Sequence, residues 1–447
     1  MGQLLGMSNA KYDKSSVDSI VDFAKGLTGK SLAEAVELPS DIENRRNRGN
    51  LGLLIENYYF EISPGSSQEP DFPEAGLELK TTGVLEKARG KYVAKERLVL
   101  KMINFTSIVG ETWESSELLK KCKLMLILFY LYEKDVSVLN RRFVIDPLVY
   151  EIPDVDLPII REDWERIRET VRNGKAHELS EGDTNYLGAC RKGAGGMSEA
   201  LLIQPHSSTG AKSRAFSFKP TYINRLIEGH TEEAGRLGVS SAMSFEEATR
   251  LRFQPYLGRT VDEISADVNY FRTNPNNKRF LRDLSVRILL AGKKSVSELD
   301  KADIEMKTIR LQKNGIPRES MSFPAFKFLE IVNEKWEESS FCDKLEKKFL
   351  FVIFRTDAAG VDRLESVKYW NMPYKDRMEA RRVWKETKRR VKIDATNLPG
   401  KSESPVAHVR PKGRNGRDML PTPQGGQYLR QCFWLNNSYI GKILEDS

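Results

Sequence analysis

One plan of segments occurs twice in this chain. FAKGLTGKSLAEA (23–35), AGLELKT (75–81), TWESSELLKK (112–121), an apolar run at 124–132 and FSFKPTYINRL (216–226) follow one another in the first half. FQPYLGRTVDEIS (253–265), ADIEMKT (302–308), KWEESSFCDK (335–344), an apolar run at 349–354 and FWLNNSYIGKI (433–443) repeat that order in the second. Amphipathic segments resemble one another by chance, but paired Trp-Glu and Glu-x-Lys-Thr at corresponding places do not follow from chance amphipathicity. Repetition in register of this kind requires two copies of one fold. A chain of 447 residues is long enough for each copy to bury its own core. The polar, small-residue stretch 229–243 is the expected linker, dividing 1–238 from 239–447.

The chemistry concentrates between Arg48 and Thr82. Leu51–Phe60 is an apolar, helix-like run carrying one acid, Glu56. SPGSSQEP then breaks regular structure, and Asp71 stands seven residues before Glu78. In a strand Glu78 and Lys80 project to one side while Leu79 faces the core. An acid and a lysine on one strand face, with a second acid brought in by a turn, is the layout of a divalent-metal phosphodiesterase. The carboxylates Asp71 and Glu78 are suited to Mg2+, which takes hard oxygen ligands and keeps several waters. The lysine is placed to orient water and stabilise charge on phosphorus. A run of charges is more often only a solvated face, so the spacing alone does not decide.

Charge supports a polyanionic partner. The formal net charge is +8, but residues 251–447 carry +12 and the first 250 carry −4. Such lopsidedness places the electrostatic grip on nucleic acid in the second half. Cys122, Cys190, Cys342 and Cys432 form no CxxC pair, which argues against zinc and for reduced thiols in a cytoplasmic protein. The longest apolar run, Leu124–Tyr132, is too short for a membrane helix of ~20 residues, and Met1–Asn9 lacks the form of a signal peptide.

Local patterns fix further elements. Residues 15–36 read as two short helices separated by Gly29, the second opened by a Ser31/Glu34 capping box; Thr260 and Glu263 repeat that box in the second copy. Lys91–Lys101 alternates as a strand, with Met102–Val109 as a second strand beyond a bend. Leu124–Tyr132 reads as a strand buried on both faces, and Pro158–Arg172 as a helix with Trp164, Ile167 and Val171 on its apolar stripe. Between Tyr186 and Lys219 the composition turns to Gly, Ser, Lys and Arg, offering backbone N–H groups and the charges of Arg191, Lys192, Lys212, Arg214 and Lys219 to phosphates. Tyr374–Lys392 is a basic amphipathic helix on a stripe of Met378, Val383 and Trp384, with DNA as its expected partner beside HVRPKGRNGR (408–417).

GLLIE (52–56), DFPEAGLELKT (71–81) and TWESSELLKKCKL (112–124) closely resemble the MutH-like endonuclease family. GKAHELSEG (174–182), ESMSFPAFKF (319–328) and HVRPKGRN (408–415), with the chain's length and second copy, are similar to its two-domain, GATC-cutting type II restriction branch, the Sau-three-A-I type. The resemblance implies an α/β chain of two tandem restriction-endonuclease-like domains, each a mixed sheet flanked by helices. It implies a catalytic domain over 1–238 and a degenerate DNA-binding, allosteric domain over 239–447. It implies Mg2+-dependent cleavage of double-stranded DNA at GATC with 5′-phosphate ends, a possible dimer on DNA, and a cognate methyltransferase that protects host sites. By the same resemblance Glu56, Asp71, Glu78, Lys80 and Lys121 form the catalytic set. Asp71, Glu78 and the Leu79 carbonyl hold the metal. Arg191, Lys192, Lys219, Arg410 and Lys412 contact DNA. Cys190 and Ser217 depart from the family pattern, which has an arginine and a tyrosine there. A mismatch-repair nicking enzyme and a regulator with a dead nuclease site are the other readings; the second copy argues against one and the intact catalytic set against the other.

The second copy keeps Glu305, Lys307 and Lys344 at the places of Glu78, Lys80 and Lys121. Glu298 aligns with Asp71, one methylene longer, Val286 replaces Glu56, and Asp303 replaces Gly76. This copy is therefore expected to bind DNA without cutting it.

Overall fold

The computed structural model describes residues 11–39, 42, 51–62, 69–192, 200–229, 237–239, 243–274, 277, 279–293, 296–413 and 415–445. Most of the expected linker, most of the loop before Glu69 and the glycine-rich stretch 193–199 lie outside these residues. The first copy opens with α1 (Val17–Lys25), α2 (Leu32–Ala35) and α3 (Leu51–Leu54), which runs on as a π-turn, Ile55–Tyr59. Then come β1 (Glu78–Lys87), β2 (Lys91–Ala94), β3 (Leu98–Met102), α4 (Glu117–Cys122), β4 (Leu124–Leu131) and β5 (Phe143–Glu151). It closes with α5 (Leu157–Arg172), β6 (Leu187–Arg191), β7 (Arg214–Phe218) and α6 (Pro220–Glu228).

The second copy begins with α7 (Phe245–Phe253), α8 (Val261–Asp267), α9 (Phe280–Leu290) and α10 (Ser297–Lys301). It continues through β8 (Ile304–Leu311), β9 (Met321–Ala325), α11 (Phe328–Ile331), α12 (Ser340–Leu345), β10 (Lys348–Thr356), β11 (Asp362–Trp370) and α13 (Tyr374–Ile393). β12 (Ala407–Pro411), β13 (Met419–Pro421), β14 (Gln427–Leu429), β15 (Gln431–Leu435) and α14 (Asn437–Glu445) complete it.

Each copy holds the mixed sheet that the family resemblance implies, and beside it a small antiparallel sheet that was not expected. The mixed sheets run β2-β1-β4-β5 and β11-β10-β8; the small ones run β3-β7-β6 and β12-β15-β9. In both mixed sheets the strand bearing Glu-x-Lys pairs in parallel with the apolar strand, Glu78 opposite Met125 and Glu305 opposite Phe349. Alternation divides each apolar strand between two cores. Met125, Ile127 and Phe129 face one cluster while Leu126 and Leu128 face another. Phe349, Phe351 and Ile353 are likewise separated from Leu350, Val352 and Phe354.

The repeat extends to fine detail. Ser31 with Glu34 and Thr260 with Glu263 both close capping boxes. Gly29 and Gly258 take φ of 81° and 78°, and their N–H groups donate to Phe143 O at 2.7 Å and Leu364 O at 2.8 Å. Trp113 meets Trp164 edge-on at 5.8 Å, and Trp336 meets Trp384 edge-on at 5.6 Å.

Two local expectations change. Lys91–Lys101 is not one strand: β2 and β3 belong to different sheets. Residues 103–109 are not a strand either, because Asn104 Oδ1 accepts from Thr106 N and Ser107 N at 3.0 and 3.3 Å and turns the chain into a short 3-10 helix.

The two copies are packed against each other. Phe245, Ala248, Val296 and Ala302 of the second share a core with the first. Lys301 Nζ donates to both oxygens of Asp156 at 2.7 and 2.6 Å, with both residues buried. Lys348 Nζ donates to Asn185 Oδ1 at 2.8 Å. A Cβ on Gly182 would lie 2.8 Å from the Lys347 carbonyl carbon, so the backbones touch there.

Candidate active site and nucleic-acid contacts

β1 emerges from a tight turn. Phe72 N donates to Leu77 O at 2.9 Å, Leu77 N returns the bond at 3.1 Å, and Gly76 takes the left-handed φ of 64° that the turn demands. The turn folds Asp71 back on the strand. Asp71 Oδ2 accepts the Leu79 N–H at 2.9 Å, and Glu78 Oε2 accepts the Asp71 N–H at 3.2 Å. The second acid is thus fixed by backbone, not by a free side chain.

Glu78 is 1% exposed. Its Oε1 meets Lys80 Nζ in a very short ion pair and lies 3.5 Å from Lys121 Nζ. Lys121 arrives on α4, whose first turn is capped by Ser116 Oγ accepting from Leu119 N. Burial pushes the Glu78 carboxyl up to about 7; Lys80 pulls it down, and Asp71 pushes it further up. Glu56 stands on the π-turn, a local widening often found at functional sites. Its carboxyl is raised by burial first and then by Asp71, against the pull of Lys80 and Lys121. The structure therefore brings Glu56, Asp71, Glu78, Lys80 and Lys121 into one electrostatic cluster. Among the described residues no group of three or more His, Cys, Asp or Glu is gathered as a metal cage. The donors that fit Mg2+ are the paired carboxylates Asp71 and Glu78, adjacent to the Leu79 peptide, and few protein ligands suit an ion that keeps its waters.

The residues expected at DNA are scattered. Lys192 and Arg410 are exposed, and the Arg410 guanidinium lies over the Trp434 ring at 4.8 Å. Lys412 is exposed and donates to Phe323 O at 2.9 Å. Arg191 is ion-paired with Glu346 of the other copy. Lys219 differs outright from the expectation: it is 3% exposed and its Nζ donates to Thr184 O at 2.6 Å. Its neighbour is Asp163, a buried carboxylate that grips the N–H groups of Asn185, Tyr186 and Leu187. As a buried structural cation it has no surface to offer a phosphate. Arg214 is also buried, donating to Ala189 O and Leu179 O. Cys190 and Ser217, the two departures, lie inside the small sheet. On α13, Arg382, Arg389 and Arg390 pair with Glu379, Glu386 and Glu403, and Arg377 is buried against Glu178 O, so part of that helix's charge serves structure.

In the second copy Glu305 Oε1 pairs with Lys307 at 2.8 Å and Oε2 with Lys344 at 3.1 Å. Glu298 is not at this cluster. Its Oε1 accepts the N–H groups of Leu237 and Gly238 at 3.0 and 3.3 Å, tying the chain between the copies. Three cations that line a cavity with Glu305, namely Arg279, Arg282 and Lys347, were not singled out from the sequence; the signal for the first two is basic residues at the start of α9, where α3 has none.

The family model described as "DNA mismatch repair enzyme MutH" matches residues 60–163 and 289–381, one stretch in each copy. The chain is 33% identical to the type II restriction enzyme Sau3AI of Staphylococcus aureus, over 95% of this chain and 97% of that one. It is also 27% identical to the DNA mismatch repair protein MutH of Shewanella woodyi, over 48% of this chain and 93% of that one. Against MutH of Shigella flexneri the identity is 28%, over 46% of this chain and 90% of that one.

Proposed function

This chain belongs to the MutH-like endonuclease family and is a site-specific deoxyribonuclease of the type II restriction kind, and from that premise we propose that its first copy hydrolyses double-stranded DNA at GATC with Mg2+. The observation that carries the reading is the Asp71–Glu78–Lys80–Lys121 cluster, with Asp71 held to the β1 backbone at Leu79. Mg2+ held by Asp71, Glu78 and the Leu79 carbonyl would supply charge neutralisation and a lowered pKa for water.

The chain's own residues do the rest. Lys80, on the same strand face as Glu78, orients the attacking water and takes up negative charge as oxygen attacks phosphorus. Lys121 stabilises the crowded phosphate from the helix side. Glu56 positions water at the edge of the cluster. The P–O3′ bond breaks, leaving a 5′-phosphate and a 3′-hydroxyl. The second copy reads DNA through the Arg410–Lys412 edge and acts as an allosteric effector when a second GATC site is bound, which favours a dimer on DNA. A cytoplasmic location and a protecting methyltransferase complete the proposal. Among the described residues no helix is long and apolar enough to cross a membrane. Incubation with a GATC plasmid in Mg2+ should give linear product, and excess chelator should abolish it. Nicked circles alone would favour the mismatch-repair type of activity instead.

A further inference from the structure

The second copy repeats the frame of the catalytic site but reverses its charge. Ser339 caps α12 as Ser116 caps α4, and Lys344 reaches Glu305 as Lys121 reaches Glu78. Around that frame two of the three acids have no counterpart. Glu298 is turned to the Leu237 and Gly238 N–H groups, and Val286 stands where the first copy has Glu56. The start of α9 instead brings Arg279 and Arg282 to the cavity, and Lys347 joins from the turn before β10. The cavity, of about 470 Å³, is lined by five cations (Arg279, Arg282, Lys307, Lys344, Lys347) and two acids (Asp303, Glu305). The catalytic cluster sets three carboxylates against two lysines.

Such a site repels a divalent cation and attracts an oxyanion. Arginine forks suit phosphate oxygens in particular. Lys307 and Lys344 share Glu305 at 2.8 and 3.1 Å, and Lys347 holds Asp303 at 2.5 Å. No acid among the described residues pairs with Arg279, and Arg282 meets Asp283 only at 3.9 Å. A second cavity, of about 670 Å³, shares Lys307 and Thr308 with it and adds Arg272, Arg310 and Arg318 beside one acid, Glu319. Cations thus predominate in both cavities beside β8, which suits the backbone of a nucleic acid.

We propose that this degenerate site is a metal-independent phosphate site, in which Arg279, Arg282, Lys344 and Lys347 hold one phosphodiester group of bound duplex DNA without cleaving it. It rests on the duplex-DNA reading above and deepens it: the remnant of the active site becomes an anchor.

The test uses the full chain in an Asp71→Ala background, with a GATC duplex, excess chelator and a salt series. The Arg279→Gln/Lys347→Gln double variant should bind about tenfold more weakly, with a log–log salt slope shallower by about 0.9, the loss of one phosphate contact. Glu305→Gln should bind at least about threefold more tightly, because it removes negative charge from an anion site; misfolding would not produce a gain. An unchanged slope in the double variant, or unchanged or weaker binding in Glu305→Gln, would overturn the inference. Phosphorus NMR of inorganic phosphate distinguishes the ligand's source. Broadening by the parent chain but not by the double variant, with duplex binding unaltered, would make free phosphate the ligand and also overturn it. Plasmid cutting by the wild-type chain separates the two levels: normal cutting with an unchanged slope removes this inference alone, and no cutting removes the nuclease reading.

Discussion

Lys301 and Asp156, from different copies of the fold, form a buried ion pair in which Nζ lies 2.7 and 2.6 Å from the two carboxylate oxygens. Tyr222 OH also donates to Asp156 Oδ2 at 2.7 Å. Lys301→Met should cost about 3–5 kcal/mol in chemical denaturation, since it leaves a buried carboxylate without its cation. Lys301→Met with Asp156→Leu should recover much of that loss. Additive losses in the pair would contradict the coupling.

The same interface bears on the stability of the isolated second half. A fragment from Ser244 to Ser447 would expose Lys301, Lys348 and Glu298, which the intact chain buries. It should unfold well below the intact chain in a melting experiment. Gly182→Ala should also destabilise the intact chain by about 1–3 kcal/mol, because the new Cβ meets Lys347 backbone, which cannot turn aside.

Lys219 provides a pH test. Burial lowers its pKa to about 8, against 10.5 ordinarily, with Asp163 pulling the other way. Between those values the unfolded chain binds the proton and the folded chain does not, so stability rises with pH above about 8. Near pH 10 the unfolded tyrosines begin to ionise while buried Tyr150, Tyr186 and Tyr222 do not, and the trend reverses. Lys219→Met should abolish the rise and leave the salt slope of DNA binding unchanged. A shallower slope would restore Lys219 to the DNA surface.

Metal binding should release a proton in acid. The Glu78 carboxyl, raised to about 7, is largely protonated below that pH and ionised above it. Mg2+ affinity should weaken as pH falls through 7, with close to one proton released per ion near pH 6 and almost none near pH 8. Calorimetry in buffers of different ionisation heat measures that count. A pH-independent count would contradict a carboxylate of this kind at the metal.

Sequence preference should reside in the β12 edge. Arg410→Ala should reduce discrimination between GATC and scrambled duplexes by about 1–3 kcal/mol if it meets base edges. Lys388→Ala should lower affinity on both alike or not at all, since its Nζ already donates to Glu334 O at 2.6 Å. Equal losses on both duplexes from both changes would remove the distinction.

The repeat was legible because it depends on local pattern: period-two alternation in β4 and β10, the Ser31 and Thr260 caps, and Glu-x-Lys on one strand face. The mixed sheets and the wider set with Glu56 and Lys121 came from the family resemblance, since spacing alone did not single them out. What escaped depends on partners far away in the chain. Lys219 and Arg191 read as surface cations until the fold brings Asp163 and Glu346 beside them. The Met102–Val109 strand failed because Asn104 turns the backbone with its own side chain, which outweighs the β propensity of Ile103 and Phe105. Glu298 was read as a displaced ligand, and its role is to hold the connection between the copies.

On this reading the first copy cuts and the second does not. Rates of linear-product formation from a GATC plasmid in Mg2+, compared for Asp71→Ala and Glu305→Ala in the full chain, test it most directly. Asp71→Ala should lose at least about a thousandfold, because the site then has one carboxylate in place of a pair. Glu305→Ala should still give linear product. Loss of cutting in Glu305→Ala as deep as in Asp71→Ala would make the second copy catalytic and contradict the account.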